Sequence, residues 1–430
     1  MTRETEIDDN DSEKITICLE DDEYNEREVV FEKGLSALLA DEHFLLLYVP
    51  DNGDKMQVIR PSSNLFHRRR MIKRINGTKK GIPSFYYALS HLWGLTENDR
   101  YHWNDIKEYV NDEDGNPVKP VSMRPGKRDT LLALLRDHPD SYWWIDVLCA
   151  RTDTPLDIMG NIYACCLECI AMIDCEPSLI PKIHTLSDGD KEMRELLSRS
   201  SRYPRYERIC QTKALQLCEV LHTFLQSQWW QRVWTWQEMA LPCGDVRFMA
   251  ETDTPQPQTN TITLDELIKL GAVAYTLDHT FAANYKTTLR EDIKKMGSEA
   301  KAVCDILGPI RDARECNDYR ISGSEHRFGK IMYSLMNSTR RCYDPVDYVY
   351  GVLGMMQIQI PRMVDPYAVW RHFLAELDKY APRFNRAEQC IDRAQGIDIR
   401  EAKTIGDVYE KLYVAWHGDW FGRHRKLHHA

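Results

Sequence analysis

Between residues 84 and 175, short apolar runs alternate with segments of helical periodicity. We assign strands to FYYALS, YWWIDVLC and CIAMID, and helices to TLLALLRDH and LDIMGNIYACCLE. Strands that are separated by helices pair in parallel, with the helices as crossovers. In the first helix, Leu131, Leu134 and Leu135 form one apolar face that can cover a sheet. The sequence therefore predicts an α/β core over residues 81–252, with a parallel sheet flanked by helices.

Two further regions flank this core. Residues 1–80 form an acidic N-terminal extension in which FLLLYVPDNGDKMQVI predicts a β-hairpin, because Asn52-Gly53 suits the positive φ values of a tight turn. The earlier stretch KITICLE predicts a strand. Residues 253–430 are predicted to be mostly helical, and Thr263 and Glu266 have the spacing of a capping box. We therefore expect three regions, divided near residues 80 and 252.

The net charge of −10 argues against general nucleic-acid binding. One basic stretch, HRRRMIKR (His67–Arg74), lacks the interleaved aromatic residues that stack on bases, so we expect a solvated loop or linker there. No apolar run approaches the roughly 18 residues that a membrane span needs, and the acidic N-terminus does not resemble a secretory signal. We expect a cytoplasmic protein that binds no membrane, and nucleic-acid binding is not expected.

The chain has thirteen cysteines, an odd number that favours reduced, mostly buried thiols. A zinc or thiol enzyme is an alternative, but Cys166 and Cys169 have no second pair at zinc-finger spacing. The glycine-rich motifs GxGxxG and GxxxxGK[ST] are absent, which disfavours an ordinary dehydrogenase or a P-loop nucleotidase. We expect no metal and no resident cofactor.

The stretch SQWWQRVWTWQEMALP (Ser227–Pro242) places four of the eleven tryptophans within eight positions and follows them with Glu238. At 100° per residue, one helix over residues 229–241 gathers the tryptophans on a broad arc. Glu238 then lies at the edge of the opposite polar face, one turn beyond Trp234. A carboxylate that is half-shielded from water can stabilise a developing cation. The alternative is that the aromatic residues are packing and that Glu238 is a solvated helix residue, paired with Arg232 or another base.

Asp146 is the one charge in a run that otherwise suits a buried parallel strand. A buried carboxylate is costly unless it is paired, so Asp146 requires a specific partner. Ligands of open parallel sheets bind at the carboxyl ends of the strands, where we expect both Asp146 and Ser90. The alternative for Asp146 is a structural residue that caps a loop or helix.

Several blocks resemble the HET (heterokaryon incompatibility) domain family, and they occur in the family's order. The three main blocks are YALSHLWG (Tyr87–Gly94), WIDVLC (Trp144–Cys149) and WQRVWTWQE (Trp230–Glu238). A later segment, Cys342–Gly354, is similar to one that often follows the domain. The chain departs from the family where Arg151-Thr152 replaces the usual Asn-Gln, so any role of those two polar groups is not carried over.

The resemblance implies a TIR-like, flavodoxin-like core, because HET domains are thought to be relatives of TIR domains. It also implies a role in fungal self/non-self recognition, programmed cell death and innate immunity. In many TIR domains a glutamate supports cleavage of NAD⁺ at the nicotinamide–ribose bond, and Glu238 matches that residue by motif. NAD⁺ or a related dinucleotide is then a substrate rather than a cofactor. The expected substrate-binding residues are Ser90, Trp93, Asp146, Arg232 and Trp234.

A second function is consistent with the same motifs. A non-catalytic module of this family would signal by homotypic assembly, with Glu238 in a packing role. The two functions can coexist, because an oligomer formed on activation could complete each site. We therefore expect a homo-oligomer on activation and a protein partner for the C-terminal region.

Overall fold

The computed structural model describes residues 14–94, 101–187, 204–252, 260–273, 291–317, 324–380 and 394–417. Within these ranges, no helix is long and apolar enough to cross a membrane. The strands are β1 (Leu46–Val49), β2 (Met56–Ile59), β3 (Tyr86–His91), β4 (His102–Trp103), β5 (Val110–Asn111), β6 (Val121–Ser122), β7 (Ser141–Ile145), β8 (Glu168–Ile173), β9 (Val246–Ala250) and β10 (Thr261–Thr263).

Eight of these strands form one sheet in the order β10-β9-β8-β3-β7-β1-β2-β5, and β4 pairs with β6 separately. Strand β3 runs parallel to both β7 and β8. Strand β1 is antiparallel to β2 and β7, which adds the hairpin to the parallel strands. The predicted α/β fold with a parallel sheet and a helical C-terminal region is confirmed.

Helices cover the sheet and make up most of the later chain. Up to residue 240 they are α1 (Glu26–Ala40), α2 (Leu65–Gly77), α3 (Pro125–Arg136), α4 (Asp146–Cys149), α5 (Ile158–Ala164), α6 (Leu179–Ser187), α7 (Pro204–Leu225) and α8 (Thr235–Ala240). Residues 264–273 are also helical. The later helices are α9 (Glu291–Asn317), α10 (Ser324–Met336), α11 (Asp347–Tyr350), α12 (Leu353–Met356), α13 (Pro366–Tyr380) and α14 (Ile405–His417).

The chain divides into two compact units. The first contains Met1–Met172 and Leu241–Arg247, and the second contains Ile173–Ala240 and Phe248–Ala430. Two of the three boundaries fall inside strands, β8 and β9, and the third follows Ala240, the last residue of α8. The three-region division at residues 80 and 252 stays a prediction.

In the first unit, the apolar alternation predicted from sequence becomes a buried sheet. All five residues of β7 are buried, and Trp143 is fully enclosed. The predicted hairpin is confirmed, with Gly53 at a φ of 77° between β1 and β2. The two parallel strands β3 and β7 pair up to Leu89 and Ile145, so they end side by side.

The stretch Lys14–Glu20 does not form the strand that the sequence predicts. Ile15, Ile17 and Leu19 are buried as a strand's alternation would place them. Their main chain is bonded by side chains instead, since the amides of Ile17 and Leu19 donate to Glu32 and Glu28 of α1 at 2.8 and 2.6 Å. Side-chain acceptors here take the place of a neighbouring strand.

The basic stretch His67–Arg74 is not a loop or linker, as the sequence suggested, but most of helix α2. Arg70 and Arg74 both pair with the carboxylate of Asp140, and the Arg74 contact measures 2.7 Å. Asp140 has a φ of 55°, an unusual backbone angle for a residue with a side chain. The basic charges therefore fix a turn before β7.

In the second unit, helix α7 buries an apolar face, and the capping box that the sequence predicts is formed. The apolar face of α7 is buried, including Leu221, Phe224 and Leu225. The capping box is confirmed, because the Thr263 amide donates to Glu266 at 2.8 Å and the Glu266 amide donates back to the Thr263 hydroxyl at 3.2 Å.

Candidate functional site

The first unit brings together three of the predicted site residues. Ser90 is the second-last residue of β3, Trp93 lies two residues beyond the end of that strand, and Asp146 directly follows the neighbouring strand β7. Asp146 is therefore the first residue of the short helix α4 and does not lie within the strand. Because β3 and β7 are parallel, their carboxyl ends meet at one edge of the sheet.

Asp146 has the partners that its partial burial requires. One carboxylate oxygen accepts a hydrogen bond from the indole nitrogen of Trp93 at 2.6 Å, and the other accepts one from the Val147 amide at 2.7 Å. The Nε2 atom of His91 lies 2.9 Å from the second oxygen. Trp93 is 46% exposed, whereas Ser90 is buried. The predicted acid is thus held by an indole at the surface of this unit.

Two other polar residues belong to this cluster, and nothing in the sequence indicated Lys127 or an acid beside His91. Lys127 of α3 is completely buried, and its ammonium donates to the Leu92 carbonyl. The Nδ1 atom of His91 lies 2.9 Å from the same carbonyl. No local spacing links residues 91, 127 and 146, so only the parallel pairing of strands could have indicated this cluster.

In the second unit, the tryptophan stretch does not form the single helix predicted over residues 229–241. It begins as a 3₁₀ turn (Gln228–Gln231), becomes extended at Arg232, and resumes as α8 at Thr235. Asp174 caps the turn, because its carboxylate accepts from the Gln228 and Trp229 amides at 3.1 Å each. These contacts come from distant residues, which the periodicity of the stretch could not indicate.

A downstream strand-like contact fixes the break between the two helical pieces. The Arg341 amide donates to the Gln231 carbonyl at 2.6 Å, and the Val233 amide donates to the Arg341 carbonyl at 3.0 Å. An i to i−4 helix would commit the Val233 amide to a carbonyl within the stretch instead. The pairing with Arg341 therefore replaces the helical bonding at this point.

The break changes which side chains are covered. Trp229, Trp230 and Trp236 are buried, as expected, but so are Thr235 and Glu238, which a continuous helix would place on a polar face. Trp230 packs against Phe248 with ring centroids 5.0 Å apart. Glu238 is 7% exposed, so it is not the solvated glutamate of the alternative interpretation. A glutamate buried this far needs a charged or hydrogen-bonding neighbour.

Arg340 supplies a positive charge near Glu238. Its guanidinium lies over the Trp236 ring at 5.4 Å and donates to the Arg232 carbonyl at 3.0 Å and to the Thr235 hydroxyl. Desolvation lowers the pKa of Arg340 to about 9, and the negative charge of Glu238 opposes that change. Arg340 and Glu238 are thus two buried side chains of opposite charge that interact electrostatically.

The other two predicted residues of this unit meet a different acid. Desolvation raises the pKa of Asp347 to about 6, while a hydrogen bond from Trp234 and the positive charge of Arg232 act in the opposite direction. Asp347 begins helix α11, which follows the stretch that pairs with Arg232. Arg232 and Trp234 therefore lie beside an aspartate that sequence reasoning did not single out.

Neither the cysteines nor the carboxylates form a metal centre in the described part of the chain. No group of three or more histidine, cysteine or acidic side chains there could hold a metal ion. Cys165 and Cys166 are buried thiols, and burial raises the pKa of both. Such thiols are poor nucleophiles because the thiolate is disfavoured.

Comparison with known proteins identifies the domain that carries these motifs. Residues 86–238 match the family model described as "Heterokaryon incompatibility protein (HET)". No curated protein and no solved structure matches the chain. The matched range begins at the first residue of β3, ends at Glu238, and supports a function of the heterokaryon-incompatibility, cell-death type. Residues 86–238 of this chain are therefore identified as a heterokaryon incompatibility (HET) domain.

Proposed function

We propose that this protein cleaves NAD⁺ at the nicotinamide–ribose bond as a step in cell-death signalling. The C–N bond breaks, its electron pair leaves with nicotinamide, and water adds to the ribosyl carbon, which gives ADP-ribose and one proton. The observation that carries the proposal is the burial of Glu238, a carboxylate 7% exposed on α8 among tryptophans. Glu238 is also the last residue of the HET match.

The chemistry requires a group that stabilises positive charge on the ribose ring. A carboxylate shielded from water keeps a stronger field than a solvated one, because the effective dielectric constant around it is lower. Preorganised charges of this kind act on the transition state without a reorganisation cost. In the proposal, Glu238 offsets the oxocarbenium-like charge and holds the ribose hydroxyls.

The remaining predicted residues have binding roles in the proposal. Trp93 and Trp234 present indole faces that suit nicotinamide or adenine, and Trp93 is 46% exposed. Arg232 would pair with a phosphate, and Ser90 and Asp146 would orient ribose or phosphate. The hydrogen bond from Trp93 to Asp146 supports a joint role for those two side chains.

The test is an incubation of the purified full chain with NAD⁺, with free nicotinamide as the readout. Glu238→Gln keeps the side-chain volume and removes the charge, so we expect a rate about 10²–10³ times lower than that of wild type. Glu168→Gln is the matched control, since Glu168 is a largely buried carboxylate paired with Arg247 at 2.5 Å at the amino end of β8. This control should keep the wild-type rate.

The same experiment decides between catalysis and assembly. We propose that activation involves self-association, so the assay is run at dilute and concentrated protein, with the oligomeric state measured by light scattering. If wild type releases no nicotinamide at either concentration while both variants still assemble, the protein is a non-catalytic assembly module.

A further inference from the structure

A segment outside the HET match packs against the break in the tryptophan stretch. Arg341 pairs with Gln231 and Val233 through its main chain. Gly351 approaches Val233 so closely that a Cβ atom there would lie 2.5 Å from a Val233 methyl group. We call residues 340–351 the clamp segment.

Arg340 is the residue of the clamp segment with the most extensive contacts to α8. It is 3% exposed and contacts the first two residues of that helix, through the Thr235 hydroxyl and the Trp236 ring. Its Nη2 atom has no hydrogen-bond partner among the described residues. Hydrogen bonding therefore satisfies the guanidinium only in part, and the negative charge of Glu238 compensates for some of the rest.

From this arrangement we infer that Arg340 is a positioning residue: it fixes the start of α8, and with it the place of Glu238 on that helix, and it brings a buried positive charge close to the Glu238 carboxylate. The C-terminal region, which lies beyond the HET match, thereby controls the candidate catalytic acid through the clamp segment. This inference rests on the proposed function for its effect on activity, but the coupling of the two charges can be tested without it.

Other charged side chains also lie near α8. From α9, Arg314 donates to the Met239 carbonyl at 2.8 Å, and Asp265 lies 4.0 Å from Arg314. The Arg314 side chain is 20% exposed, so solvent screens it more than it screens Arg340. Asp347, within the clamp segment, faces Trp234 and Arg232. Arg340 is therefore the buried cation through which the clamp segment acts on Glu238.

The activity test compares pH profiles of NAD⁺ cleavage in three variants. Arg340→Gln removes the cation, so ionisation of Glu238 becomes harder and the acid limb of kcat/KM should move up by about one pH unit or more. Arg340→Lys keeps a cation and should keep the wild-type limb even if its rate falls. Arg341→Gln is the charge-matched control, because Arg341 is exposed and its two contacts to the stretch are made by the main chain. Equal acid limbs for Arg340→Gln and Arg341→Gln would overturn the inference.

A second test uses folding and needs no activity. Arg340→Gln leaves Glu238 as a buried carboxylate without its cation, so the thermal midpoint should fall. Adding Glu238→Gln removes the negative charge that Arg340 faced, and the double variant should melt higher than Arg340→Gln alone. A double variant that melts no higher than the single one would refute the coupling. If wild type cleaves no NAD⁺ but the double variant recovers stability, the proposed function fails and the coupling stands.

Discussion

The carboxylate of Asp146 is predicted to be irreplaceable by an amide, although the two side chains have nearly the same shape. Both oxygens accept hydrogen bonds, one from the Trp93 indole at 2.6 Å and one from the Val147 amide at 2.7 Å. An asparagine has only one acceptor oxygen, so either orientation of its amide points an NH₂ group at a donor. Asp146→Asn should therefore destabilise the first unit.

The size of the effect follows from these two contacts. A hydrogen bond to a charged group contributes about 1.5–3 kcal/mol, and one of the two is lost. The Asp146 side chain is 22% exposed, so water can solvate part of the mismatch. We expect a loss of about 1.5–3 kcal/mol, or a fall of about 3–12 °C in the thermal midpoint for a unit of this size.

The assay is thermal and urea unfolding of wild type, Asp146→Asn, Trp93→Phe and the double variant. Because Trp93→Phe removes the indole donor, the amide can then face that side without conflict, and the double variant should lose about 1 kcal/mol less than the sum of the single losses. Asp153→Asn is the control, since its side chain is 74% exposed and should change stability by less than about 0.5 kcal/mol. An Asp146→Asn midpoint equal to that of the control would refute this account of Asp146.

Two further predictions concern groups whose pKa values are shifted by burial. The pKa of Asp347 is raised from 3.8 to about 6 in the folded state, so its contribution to stability is present below pH 4 and is lost as the pH rises through 6. The stability of Asp347→Asn relative to wild type should therefore increase from pH 4 to pH 7 in urea titrations, and a constant difference would contradict the shift. Burial raises the pKa of Cys149 to about 12, whereas Cys18 is exposed. Iodoacetamide at pH 8 should alkylate Cys18 in the native protein before Cys149, as peptide mass spectrometry would report.

Local sequence patterns predicted the sheet well, because a buried parallel strand and an amphipathic helix each have a clear period. The alternation of β3, α3, β7, α5 and β8 is present as the sequence indicated. Ser90 and Asp146 come at the carboxyl ends of two predicted parallel strands. Because parallel strands end at the same sheet edge, the sequence could also predict that these two residues lie at one edge.

The predictions that were wrong share a physical cause, which is a hydrogen bond or ion pair to a residue far away in the chain. Helical periodicity alone favoured one helix through the tryptophan stretch, but Asp174 and Arg341 supply hydrogen bonds that break it. The basic residues of α2 resembled a linker because their partner, Asp140, lies more than sixty positions later. Nothing local to Glu238 could have indicated Arg340, which comes from beyond the HET match.

The central claim is that the buried carboxylate of Glu238 supports cleavage of NAD⁺, and the most direct measurement is the rate at which the full chain converts NAD⁺ to nicotinamide. We expect steady release by wild type, with one nicotinamide for each NAD⁺ consumed, and a rate about 10²–10³ times lower for Glu238→Gln. Equal rates for wild type and a folded Glu238→Gln, or no release by wild type at any protein concentration, would contradict it.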